Sequence, residues 1–219
     1  MPKTPVKHLS IKAICLAAVT FTTVAVTAGV AWAAYTDNMY PTTYATLPCI
    51  DEGSDPVNGA GHCQTDNADL TYYTDSSGTN KLEAVDKAVV VAVLSNVYGP
   101  TDLVVSYDST PVFAGSAETD IVYEESARGM SSTADGITFC NDAVNSLKCD
   151  QEYIRIRGGG SYTNGLVCHE TGHAVGLTHG DQASPKKSNT DEKLGCMEKP
   201  TDADEVLQAN NVENINATY

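Results

Sequence analysis

The chain has 219 residues, 42% hydrophobic and 19% charged, which fits one folded globular domain and excludes an intrinsically disordered polymer. Its 28 acidic and 13 basic side chains give a formal net charge of −15. Positions 1–34 hold Lys3, Lys7 and Lys12 and no acid, so the rest carries 10 basic and 28 acidic side chains, net −18. Such a surface repels phosphate backbones and argues against nucleic-acid partners.

In chain order, residues 1–33 read as a signal peptide. Three lysines precede an apolar stretch from Ile11 to Val30, and Ala31-Trp32-Ala33 supplies a small-x-small cleavage site. An uncleaved anchor is the rival reading, since the stretch approaches the ~20 residues that span a bilayer. Its threonines and the cleavage site favour removal. The expected mature protein is secreted, extracellular and monomeric, with no stable membrane association after cleavage.

Without Cys15 of the leader, six cysteines remain: Cys49, Cys63, Cys140, Cys149, Cys168 and Cys196. An even set in an exported chain suggests three disulfides, with about 15 connectivities. Short-range closure favours Cys49–Cys63 and Cys140–Cys149, which leaves Cys168–Cys196. Cysteine-ligated zinc is disfavoured because no Cys-x-x-Cys occurs.

Residues 34–66 are rich in Thr, Pro, Gly, Asp and Asn and read as an irregular arm or short pro-segment. A domain follows over 67–219. Asp69–Thr74 is a strand candidate closed by Asp75-Ser-Ser-Gly78. From Lys81 to about Val97 the apolar residues recur at three- and four-residue steps, a helix stopped by Tyr98-Gly-Pro100. Short strands are expected at Leu103–Tyr107, Asp120–Glu124, Ile137–Cys140 and Glu152–Arg157. Gly158-Gly-Gly160 precedes a second helix over roughly Thr163–Leu177. A third is expected over about Asp202–Asn211, with Thr201 as its cap. This order implies an α/β (α+β) sheet domain.

The chemistry concentrates in Cys168-His-Glu-Thr-Gly-His-Ala-Val-Gly-Leu-Thr-His179. On a helix His169 and His173 emerge one turn apart on one face and can both reach one ion. Glu170 projects roughly 100° round the helix, toward a water on that ion rather than the ion itself. Gly176 can take φ > 0 and redirect the chain, so that His179 folds back as a third ligand. Three neutral imidazoles and an open fourth position describe a catalytic zinc site. His-Glu-x-x-His alone arises by chance in roughly 3% of chains this long, and Gly176 with His179 lowers that to about one in ten thousand. His8 and His62 have no pattern and read as unimportant. Asp181 is an alternative ligand or an imidazole partner, against an equal case for a solvated loop acid.

These residues resemble the metzincin metalloproteases, whose extended His-Glu-x-x-His-x-x-Gly-x-x-His motif is followed by a Met-turn. Cys196-Met197 is similar to that turn. The resemblance implies a single catalytic domain with a twisted, mostly parallel sheet and an antiparallel edge strand. A backing helix, an active-site helix and a small C-terminal subdomain with its own helix complete it. It places Met197 beneath the zinc as a floor and substrate along an edge strand, for which Ile137–Asn141 is the nearest candidate. A Cys168–Cys196 bond would tie the active-site helix to that floor. Gly180, after His179, matches no subfamily marker, and no Tyr lies two residues beyond Met197. A free Cys49 blocking the metal in a latent form would orphan Cys63.

The expected function is that of a secreted zinc endopeptidase in which Glu170 activates water on one Zn2+ against a peptide or protein substrate. The alternatives are a secreted zinc-binding protein without turnover and a zinc amidohydrolase acting on a non-protein substrate. Calcium is open: acids are plentiful but no EF-hand spacing occurs.

Overall fold

Strand alternation sets the frame. In Asp69–Thr74 the side chains of Leu70, Tyr72 and Thr74 are buried and the intervening ones are not, the period of two of a sheet with one covered face. The computed structural model describes residues 36–53 and 62–219; the expected signal peptide and Cys15 lie outside the described residues. Six strands form one sheet: β1 Gln64–Thr65, β2 Asp69–Thr74, β3 Val104–Tyr107, β4 Ile121–Glu125, β5 Gly136–Ala143 and β6 Lys148–Ile156.

The order is β1-β6-β4-β2-β3 with every pair parallel, and β5 pairs antiparallel with β6. This is a mixed α/β domain with a mostly parallel sheet. β6 pairs with β1 at its start (Lys148, Cys149) and with β4 from Glu152 to Ile156. Leu70, Ile121, Tyr123, Ile154 and Ile156 are fully buried. Burial of each aliphatic side chain stabilises by about 1.5–3 kcal/mol. A one-residue slip would turn this set to the other face, so the register is fixed by the core.

Helix α1 (Ala84–Val93) buries Val90 and Val93, and continues as a single wider turn, Leu94–Tyr98, in which Gly99 N donates to Leu94 O. The helical run thus ends at Tyr98, one residue past the expected Val97, and starts three residues later than Lys81. Leu82 N is engaged by Asp75 O, which holds 81–83 outside the helix. Helix α2 (Asn164–Ala174) starts at Thr163, whose side chain accepts from Leu166 N.

The third helix is a correction. Residues 202–207 are not helical, and α3 runs Ala209–Thr218 behind Gln208, which shares a reciprocal capping box with Asn211. The backbone of 202–207 is used elsewhere: Ala203 O accepts from Gly165 N at the start of α2, and Val206 O accepts from Cys196 N. Carbonyls committed to those partners are not free for helical bonds.

Three disulfides join Cys49–Cys63, Cys140–Cys149 and Cys168–Cys196. Short-range closure anticipates this connectivity, and it removes Cys49 as a thiol that could block a metal. Residues 36–53, read as irregular, have little regular structure but are well tied down. Asp37 bridges to Ser184 and Met39 to Leu177, and Thr36, Asn38, Met39 and Tyr40 are buried. Among the described residues no helix is long and apolar enough to cross a membrane.

Candidate metal centre

Helix α2 is buried nearly all round, from Gly165 to Ala174. Tyr98 donates its hydroxyl to Cys168 O at 2.6 Å, and Tyr123 and Thr171 meet through their hydroxyls at 2.7 Å. The helix is therefore held against both α1 and the sheet. His169 and His173 project one turn apart from it. Their ring planes lie at 88° with centroids 4.7 Å apart.

Gly176 takes φ 95°, ends the helical path and turns the chain back, so that His179 reaches the same point. Residues 177–179 are also gripped from outside. Asn38 O accepts from Thr178 N (2.7 Å) and Thr178 Oγ1 (3.1 Å), and Asn38 Nδ2 donates to Thr178 O (3.0 Å). Asn38 Oδ1 in turn accepts from Asn210 and Asn214 of α3. The arm and the last helix thus fix the loop that carries His179, a role with no local signal in the sequence.

The three Nε2 atoms stand 3.1–3.2 Å from one another. His169 Nδ1 donates to Cys196 O (2.6 Å) and His173 Nδ1 to Leu177 O (2.8 Å). Those bonds put the proton on Nδ1, so both Nε2 atoms present lone pairs to each other without a hydrogen between them. A cation resolves that conflict. An ion about 2.0–2.1 Å from each of three tetrahedrally disposed nitrogens requires them about 3.3–3.4 Å apart, close to what is found. Burial drives His169 down to about 4, His179 down to about 3 and His173 well below the usual imidazole value. All three are neutral at neutral pH, the form that binds metal. The group can hold a metal ion.

Glu170 is buried beside them, and burial raises its carboxyl to about 7, against a lowering contribution from Thr138. Thr138 Oγ1 lies 2.8 Å from Glu170 Oε2 and 2.9 Å from Glu170 O. Gly136, two residues earlier on β5, leaves the room in which Oε1 sits: a Cβ there would come within 2.4 Å of it. So β5 clamps one carboxylate oxygen and leaves space for the other. Neither residue is distinguishable in the sequence, because each meets Glu170 across more than 30 positions.

Met197 is fully buried and packs under α2 at Gly172, where a Cβ would lie 2.2 Å from Met197 Sδ. Gly195, at φ 50°, shapes the turn, and the Cys168–Cys196 disulfide ties turn to helix. Asp181 is exposed and is not among the residues whose ligand atoms gather; its backbone N–H bonds Asn189. His62, read as unimportant, proves to be a neighbour of the site. Its ring centroid is 6.0 Å from that of His173, and its Nε2 meets Gln182 Nε2 at 2.6 Å.

A cavity of about 610 Å³ opens over the cluster. Thr138, Glu170 and the three histidines lie on its wall, with His62 and Glu152 and, from the turn after Met197, Lys199 and Pro200. A scan of protein-family models gave no match to the chain, and a search of curated proteins gave none either.

Proposed function

We propose that the chain is a secreted zinc-dependent endopeptidase of metzincin type, with His169, His173 and His179 as metal ligands and Glu170 as general base. The observation that carries this reading is the convergence of three Nε2 atoms within 3.2 Å, on an open cavity, next to a buried carboxylate held at one oxygen only. Zinc suits the donors: three neutral imidazoles, no carboxylate, and every described cysteine closed in a disulfide. When bound, zinc supplies Lewis-acid polarisation of water and of a carbonyl oxygen.

The chain's own residues do the rest. Glu170 takes the proton of the attacking water at Oε1 and returns it to the leaving nitrogen, while Thr138 holds Oε2. His169 and His173 are kept in one tautomer by Cys196 O and Leu177 O, so their Nε2 atoms stay aimed. Among the described residues β5 pairs as a strand with β6 alone; Glu52 N and Asp51 engage its far end at Cys140 and Ala143, which leaves the edge before Cys140 for an extended peptide. The antiparallel β5, the turn at Gly176 and Met197 under the helix support the metzincin assignment. Three disulfides support export.

The test is cleavage of a quenched peptide library by the mature chain and by Glu170→Gln at equal zinc occupancy. We expect the substitution to lower kcat by about 10²–10⁴-fold with zinc still bound. Equal rates in the two proteins, or no cleavage by zinc-loaded wild type, would overturn the reading in favour of binding without turnover or of a non-peptide substrate.

A further inference from the structure

A second group of potential ligands lies apart from the histidines, where the segment before β4 meets the end of β5 and the start of β6. A carboxylate oxygen of each of Glu118, Asp142 and Asp150 lies within 4.8 Å of the other two. Asp142 sits at the irregularity in β5, where the pairing with β6 shifts register around Cys140–Ala143, and Asp150 is on β6. The three carboxylates are not paired with any lysine, arginine or histidine among the described residues.

Acids alone are common on so acidic a chain, but Glu118 is different. It is 8% exposed, and although the Gly115 backbone bonds its carboxylate, Oε2 is buried with no hydrogen-bond partner among the described residues. Burial, then the charges of Asp142 and Asp150, push its carboxyl up. A buried carboxylate oxygen without a donor is costly, and two further acids beside it raise the cost unless a cation sits among them.

We propose that Glu118, Asp142 and Asp150 form a calcium site that pins the end of the β5–β6 pair to the segment entering β4. Twice a calcium–oxygen distance of about 2.4 Å is about 4.8 Å, so these oxygens fit within one coordination sphere. Ligands from three separate segments suit calcium's flexible geometry better than magnesium's strict octahedron. Waters and backbone carbonyls complete the shell. The Cys140–Cys149 disulfide staples the same pair of strands. The ion would therefore steady the strand that carries Thr138 and Gly136 to Glu170.

The other acidic triad, Glu83, Asp86 and Glu125, is more open: Glu125 Oε2 also lacks a partner, but Glu125 is only half-buried and Glu83 is exposed, so water can reach the group. Its members also hydrogen-bond to one another through their side chains, which raises the carboxyls of Glu125 and Asp86.

The test uses the mature chain, stripped of metal and reloaded with one equivalent of zinc, melted with and without 10 mM calcium chloride. With affinity in the 10⁻⁴–10⁻³ M range of extracellular calcium modules, Tm should rise by about 3–10 °C. Glu118→Gln should abolish the rise, yet melt no lower than wild type in calcium-free buffer, because it removes a like charge. Should Glu118→Gln fail to fold, Asp142→Asn, at a less buried position, carries the same expectation. No rise in wild type, an equal rise in magnesium or sodium chloride at matched ionic strength, or a rise retained in the folded variants would each overturn the proposal.

Discussion

The three histidines and the three acids are both gatherings of potential ligands, yet they are written into the chain in opposite ways. The histidines lie within 11 consecutive positions, two on one helix and the third just past a turn made by Gly176. Helical spacing alone brings the first two together. Glu118, Asp142 and Asp150 come from three segments and meet only because the β5–β6 register and the entry to β4 put them there. A site set by local geometry can be read from sequence; one set by tertiary register cannot. The two also differ chemically. Imidazole nitrogens buried without charge select a borderline metal, whereas clustered carboxylates select a hard one.

The largest effect that would separate them is ligand deletion at one site with a readout at both. His179→Ala removes one of three nitrogens, so zinc affinity should fall by at least about 100-fold and peptide cleavage should fall below detection. The calcium-dependent rise in Tm should persist. Metal analysis after gel filtration, together with paired melting curves, checks both halves. Loss of the calcium response along with zinc would mean that the two clusters are not independent.

A smaller effect probes how β5 serves the histidine site. Gly136→Ala places a Cβ 2.4 Å from Oε1 of Glu170, closer than the two can stand. Displacing that carboxylate by about 1 Å should lower kcat by about 10–100-fold. Zinc content should stay at one per chain, because Gly136 touches no ligand nitrogen. Single-turnover cleavage at matched zinc occupancy measures it. An unchanged kcat would show that Glu170 can reach its proton from a different rotamer.

The same contrast explains what was legible beforehand. The α2 motif, the α1 periodicity and the short-range disulfides were readable because their partners lie within a few turns of chain. The third helix lies beyond its expected place because the carbonyls of 202–207 are engaged by Gly165 and Cys196, partners that no periodicity reveals. What makes α3 helical is partly local, the Gln208–Asn211 box, and partly tertiary, the burial of Asn210, Asn211 and Ile215. Thr138, Gly136, Asn38 and His62 escaped for that reason, since each acts on the site across a long stretch of sequence. Their residue types are ordinary, and only their neighbours make them matter.

The smallest expected effect tests the third cluster, Glu83, Asp86 and Glu125. Glu125 is pushed up to about 7, first by its hydrogen bond with Glu83, and Asp86 is pushed up to about 6, first by burial. Glu83 is pulled down, first by the same contact with Glu125. Raised carboxyls mean that the folded chain binds more protons than the unfolded one between about pH 4 and pH 7. Stability from Glu125 and Asp86 is therefore fullest near the acid end of that window and is lost as pH rises through 6 and 7. Glu125 is partly exposed, so screening limits its share to on the order of 1 kcal/mol. Glu125→Gln should reduce the dependence, measured as the difference in urea midpoint between pH 5 and pH 7.5 for variant and wild type, and leave the share of Glu170 and Asp120, which titrate in the same window. A slope that is not reduced at all by the substitution would show that Glu125 takes up no proton in this window.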